Sequence, residues 1–159
     1  EGLPHGAAAA FAQRAALAKA NEVAARVRTP AWVLGADTVV ALGSEVFGKP
    51  AGRAQAAAML RRLIGREHTV VTGVAWVHAL TRQTRVEAVR TRVRMRLLEP
   101  GELETYLDSG EWHDKAGAYG IQGRAGAFVE RVSGCYFNVV GLPLSSVCTQ
   151  WQKILAGRP

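Results

Sequence analysis

The sequence predicts an α/β domain, a mixed twisted sheet with flanking helices, and three observations lead to it. Two nearly all-apolar runs, AWVLGADTVVAL at 31–42 and HTVVTGVAWVHA at 68–79, have the composition of strands covered on both faces. Alanine- and leucine-rich stretches with helical periodicity stand before, between and after them. The 159 residues (17.0 kDa), 48% hydrophobic and 21% charged, suit one globular domain spanning 1–159 with a buried core. No run approaches the roughly 18 uncharged apolar residues of a membrane span, so a membrane partner is excluded. The opening segment is charged throughout and lacks the basic-then-apolar layout of a signal peptide.

Residues 7–27 read as a helix, rich in alanine, free of internal Gly or Pro, with Phe11, Leu17 and Val23 available for an apolar stripe. Thr29 and Pro30 end it. The run at 31–42 follows as a strand interrupted by Gly35 and Asp37, and GSEVFGKP at 43–50 reads as a turn and return. AGRAQAAAMLRRLIG gives a second helix with Met59, Leu60, Leu63 and Ile64 on its apolar side and Gly65 placed as a C′ glycine. After the strand at 68–79, LTRQT is a hairpin connection. From Val89 to Leu97 the alternation is clean, with Arg90, Arg92, Arg94 and Arg96 on one face. Pro100 opens a short helix that stops before Gly110. The glycine-rich stretch WHDKAGAYGIQGRAG must be loop, AFVERV and CYFNVV read as strands about a Ser133-Gly134 turn, and GLPLSSVCTQWQKIL closes the chain as an amphipathic helix.

The formal charge of +7 and the pI near 10.1 point to an anionic partner, a nucleotide or a nucleic acid. Of the basic residues only Lys19, Lys49, Lys115 and Lys153 are lysines. The arginine face could hold nucleic-acid phosphates, but no aromatics are interleaved for base stacking, so a solvated face is favoured and nucleic acid disfavoured. Cys135 and Cys148 form no CxxC and have no His at ligand spacing, which predicts free thiols in a reducing, cytoplasmic compartment. His5, His68, His78 and His113 show no metal spacing and receive no role.

Asp37 is the first candidate for chemistry. A carboxylate inside an apolar strand needs a partner, a metal or solvent access, so it is either a satisfied structural Asp or a catalytic or metal-binding group. Lys49, its backbone framed by Gly48 and Pro50, can present a point charge to a phosphate or simply face solvent. Lys19 faces either solvent or the sheet. In the loop at 114–123, Gly117, Gly120 and Gly123 recur every third residue, a spacing that lets backbone N–H groups approach a ligand without matching a Walker loop. Gln122 could read a base edge, and Asp114 with Lys115 could meet substrate or form an ion pair.

Three segments resemble the Maf family of nucleoside triphosphate pyrophosphatases: LGADTVVALGSEVFGKP at 34–50, AAAMLRRLIGREHTVVTGVA at 56–75 and DKAGAYGIQGRAGAFVERVSGCYFNVVGLPL at 114–144. The resemblance implies a two-lobed fold shared with inosine-triphosphate pyrophosphatases and hydrolysis of a nucleoside triphosphate to the monophosphate and pyrophosphate with Mg²⁺ or Mn²⁺. By position, Asp37 matches the family's catalytic acidic residue, as base or metal ligand, and Lys49 the lysine of the GKP turn. Lys19 matches a helix lysine directed into the cleft, and Thr38 and Gln122 match positions tied to substrate choice. Asp37-Thr38 with Tyr119-Gly120-Ile121-Gln122 resembles the branch acting on dTTP and UTP rather than on 7-methyl-GTP. Family members open with a strand and a Ser-x-x-Arg-Arg phosphate loop that this sequence does not contain. The resemblance therefore leaves room for a non-catalytic nucleotide- or nucleic-acid-binding regulator or pseudoenzyme, or for a homodimer that covers an exposed sheet edge.

Overall fold

The computed structural model describes residues 5–158; residues 1–4 and 159, part of the predicted 1–159 span, lie outside the described residues. Helix α1 (His5–Ala24) leads into strand β1 (Trp32–Leu42), which turns at Gly43 into the short β2 (Glu45–Phe47). Helix α2 (Arg53–Leu63), the long strands β3 (Glu67–His78) and β4 (Thr84–Met95) and helix α3 (Glu102–Ser109) follow. Two 3₁₀ turns (Ala116–Ala118 and Arg124–Phe128), β5 (Val129–Ser133), the one-turn α4 (Tyr136–Val140) and α5 (Leu144–Leu155) complete the described chain. The strands form one sheet in the order β2-β1-β3-β4-β5.

The α/β architecture with flanking helices is as the sequence predicts, but the sheet is not mixed in strand direction: every pairing among the described residues is antiparallel. Tight turns join β1 to β2 and β3 to β4, and such turns permit only antiparallel neighbours. The all-apolar runs have another cause. Central β3 is buried at every position between its ends because α1 covers one face, while α2, α4, α5 and the glycine-rich loop cover the other.

On the α1 face the expected stripe of Phe11, Leu17 and Val23 gives way to one of alanines, and of the three only Leu17 packs, partly buried, against the sheet. Ala8, Ala12, Ala16, Ala20 and Ala24, four residues apart, are at most 1% exposed, whereas Phe11 and Val23 are about half exposed (49% and 50%). The sheet dictates this choice. A Cβ on Gly35 would lie 2.3 Å from the Ala16 carbonyl oxygen, and one on Gly73 would lie 2.2 Å from that of Ala12. Helix backbone thus rests on strand backbone, and larger side chains cannot fit between them. The opposite face carries the larger core, in which Leu60 and Leu63 of α2 meet Val40, Val70, Val93 and Met95. Beyond it α5 docks through Gln150, which accepts a hydrogen bond from Trp76 Nε1 at 2.8 Å, and through Trp151 stacked on Trp76.

CYFNVV, expected as a strand, is a helical turn instead. Asn138 is fully buried, and its Nδ2 donates to the carbonyls of Val70 (3.2 Å) and Val89 (3.1 Å), while the Gly141 N–H closes onto Phe137 and Asn138. Those side-chain bonds outweigh the local strand preference of Tyr, Phe and Val. Strand β4 begins at Thr84, earlier than the arginine alternation indicates. On that alternating face Arg92 pairs with Glu67 (3.6 Å), Arg94 with Glu130 (2.7 Å) and Arg96 with Glu102 through both terminal guanidinium nitrogens (2.7 and 2.8 Å). Arg96 and the Glu99 backbone N–H hold the Glu102 carboxyl down at about 2. The arginines at 92, 94 and 96 thus form an ion-paired strand face. Both cysteines are free.

Candidate active site

Strand β2 pairs with β1 only at residues 40–42, so the β1 edge at 36–38 lies beyond its reach. Register places Asp37 opposite Gly73 and Thr38 opposite Thr72, so consecutive residues at this edge point to opposite faces of the sheet. A cleft of about 680 Å³ straddles the edge and is lined from both faces. Lys19, Asp37, Thr38, Lys49, Asp114, Lys115 and Gln122, the seven residues singled out in the sequence, all line it.

Each reaches the cleft for a local reason. The close seat of α1 on Gly35 puts Lys19, between Ala16 and Ala20, over the middle of β1, where Nζ lies 2.6 Å from Asp37 Oδ1 and 3.3 Å from the Ala36 carbonyl. Lys19 therefore faces both solvent and sheet: its side chain is 59% exposed, that of Asp37 20%. Lys49 arrives on the return turn. The Gly117 N–H donates to the Gly48 carbonyl at 3.1 Å, which docks the glycine-rich loop on that turn. Gly117 has φ +67°, and a Cβ there would touch Val40 at 3.0 Å, so position 117 requires glycine for conformation and for space.

Two buried tyrosines brace the loop from below. Tyr106 donates its hydroxyl to the Ala118 carbonyl at 2.9 Å, and the Tyr119 hydroxyl lies 2.7 Å from His68 Nε2. Burial pushes both phenol pKa values up, so they stay neutral. Asp114 and Lys115 form no ion pair with each other among the described residues, which leaves both side chains at the rim. Asp37 Oδ1 holds the ammonium, and Oδ2 has no hydrogen-bond partner among the described residues.

The chain's likeness to known proteins matches this geometry. The family described as Maf-like protein matches residues 2–154. The chain belongs to the Maf family. Among curated relatives, a dTTP/UTP pyrophosphatase of Myxococcus xanthus is 49% identical over 98% of this chain and 78% of its own length. One of Moorella thermoacetica is 53% identical over 87% of this chain and 71% of its own length. One of Pelotomaculum thermopropionicum is 50% identical over 77% of this chain, a match that spans 64% of the relative.

In this Maf chain the structure adds cleft residues that the sequence reading passed over. His113 and Glu111 line the cleft beside Asp114, and Val139 and Val140 of α4 form an apolar wall. The wall was hidden by the misread strand at 135–140. His113 could have been noticed from its place directly before Asp114. Among the described residues, no group of three or more His, Cys, Asp or Glu side chains converges as a metal cage, and no helix is long and apolar enough to cross a membrane.

His68, given no role from sequence, is 2% exposed, and its Nδ1 has no partner among the described residues. Burial lowers its pKa from 6.5 to about 4, against a small opposing pull from Glu67. Between those values the unfolded chain binds a proton that the folded chain does not, so stability rises with pH across this window. Lowering the pH from 7 to 4 is expected to remove about 3 kcal/mol through this one group. Urea unfolding at a series of pH values checks it, and His68→Gln should flatten the slope between pH 4 and 6.5.

Proposed function

We propose that this Maf chain hydrolyses pyrimidine nucleoside triphosphates, dTTP and UTP, to the monophosphate and pyrophosphate. The observation that carries the reading is the convergence of Asp37, Lys19 and Lys49 in one cleft faced by the glycine-rich loop, in a chain about half identical to dTTP/UTP pyrophosphatases. Water attacks the α-phosphorus, the bond to the bridging oxygen breaks, and pyrophosphate leaves. Charge builds on phosphate oxygens during that step, and Lys19 and Lys49 both line the cleft where they can meet it. Asp37 is the carboxylate that orients or deprotonates the water. Thr38 and Gln122 meet the base, and Asp114 and Lys115 contact substrate from the loop.

A divalent cation fits this donor set. Mg²⁺ and Mn²⁺ commonly take one or two protein carboxylates together with substrate phosphate oxygens, and Asp37 with its unpartnered Oδ2 is the group that would hold one. The ion supplies neutralisation of phosphate charge. Free Cys135 and Cys148 agree with a reducing, cytoplasmic setting.

Pyrophosphate release from dTTP, UTP and 7-methyl-GTP by the purified protein tests the reading. Turnover of the two pyrimidine nucleotides well above that of 7-methyl-GTP is expected; the reverse order would refute the substrate assignment.

A further inference from the structure

The glycine-rich loop at 114–123 turns through three residues in the left-handed region, Asp114 (φ +58°), Gly117 (φ +67°) and Ala118 (φ +66°). An alanine stays there only where its surroundings over-determine it. Ala118 is fully buried, and what surrounds it is specific. Its carbonyl accepts the Tyr106 hydroxyl, and the next residue, Tyr119, reaches through the core to His68 of β3 at 2.7 Å. Tyr119 also lines the cleft, so one side chain links the cleft to the central strand. The residues that face a ligand stand next to it. A Cβ built on Gly120 would lie 3.3 Å from Lys115 Cε, which means that the lysine stem rests across the neighbour of Tyr119, and Gln122 follows two residues later.

His68 is a costly occupant of its own position. It pairs across the strands with Val93 and stands two residues from Val70, both core residues, and its Nδ1 is buried without a partner among the described residues. A leucine at 68 would strand no polar atom. A phenol hydroxyl buried as deeply as that of Tyr119 needs a partner, however, and Nε2 supplies one whichever of the two atoms holds the shared proton. From this we infer that His68 is a positioning residue, which through the Tyr119 hydroxyl holds the glycine-rich loop at the height where Lys115 and Gln122 meet the nucleotide. The imidazole serves substrate affinity at the expense of the core. The inference rests on the cleft being the nucleotide site proposed above.

The test replaces the tether by apolar groups. In His68→Leu/Tyr119→Phe both bonding partners and the stranded Nδ1 disappear together, so the melting temperature should hold within a few degrees or rise. The loop is then seated by ring packing alone, and KM for dTTP should increase about three- to tenfold. The value of kcat should stay within about twofold, because Lys19, Asp37 and Lys49 stand on α1, β1 and the return turn rather than on the tethered loop. Amide exchange over 114–123 should quicken. A merely structural His68 would give the opposite pairing, a lower melting temperature with KM unmoved. His68→Gln, whose amide reaches the place of Nε2, should keep KM near the parent's. If the double variant fails to fold, Tyr119→Phe takes its place under the same KM criterion. With dTTP still turned over, a KM increase below about threefold overturns the inference, as does an equal increase in His68→Gln. A fall in kcat as large as the rise in KM, or unchanged exchange over the loop, also overturns it. Pyrophosphate released from neither dTTP nor UTP by the unaltered protein overturns the proposed function, and this inference with it.

Discussion

Asp37→Asn is expected to lower pyrophosphate release from dTTP by about 10²–10⁴-fold while leaving the melting temperature within a few degrees of the parent's. The two halves of that expectation have separate physical sources. Asparagine keeps the size and shape of the side chain, so the α1 face of β1 repacks nothing. The ion pair lost to Lys19 joins a side chain 59% exposed to one 20% exposed, and pairs so hydrated contribute at most about 1 kcal/mol. What disappears is the carboxylate charge at the edge of β1, needed to take a proton from water or to hold a cation near phosphate oxygens. Activity and stability measured on the same preparation separate the roles. A variant that melts normally and still turns over dTTP at parental rate would make Asp37 a structural counter-ion for Lys19 and leave the proposed hydrolysis without its central group.

The sequence displayed the site better than it displayed the layers that position it. Asp37 stood out because a carboxylate in an apolar strand needs an explanation, and the GKP turn and spaced glycines stood out by composition. Resemblance joined them, and the structure places them around one cleft. The arrangement of α1 was not legible in the same way. Hydrophobic periodicity weights Phe11, Leu17 and Val23, but what decides the buried face is the space left by Gly35 and Gly73 on strands far along the chain. Residues 135–140 failed for a related reason. Tyr, Phe and Val prefer strands locally, whereas Asn138 has bonds to Val70 and Val89 whose worth depends on tertiary placement. The Thr38–Thr72 contact was equally hidden, since it follows from a β1–β3 register that no local pattern specifies.

Gly35→Ala should disrupt the fold with a single methyl, and it should damage activity through a residue it does not touch. The added Cβ would sit 2.3 Å from the Ala16 carbonyl oxygen and 2.9 Å from the Ala20 nitrogen, both helix backbone, where about 3.5–4 Å is comfortable. No rotamer relieves such a contact, so α1 has to lift from the sheet. Overpacking of this kind costs about 1–3 kcal/mol, which for a chain of this length lowers the melting temperature by roughly 3–10 °C. Lys19 lies on the lifted turn, and its 2.6 Å contact with Asp37 cannot survive a displacement of that size. The turnover rate should therefore fall in parallel with the melting temperature. Gly52→Ala, where an added Cβ meets nothing within 4 Å, should change neither and serves as the control. Adding Ala20→Gly to Gly35→Ala removes one clashing methyl but leaves the Ala16 carbonyl where it is, so only partial recovery is expected. Full recovery in that double variant would mean that side-chain bulk alone sets the height of α1. Backbone contact between helix and strand would then not be what holds Lys19 over Asp37.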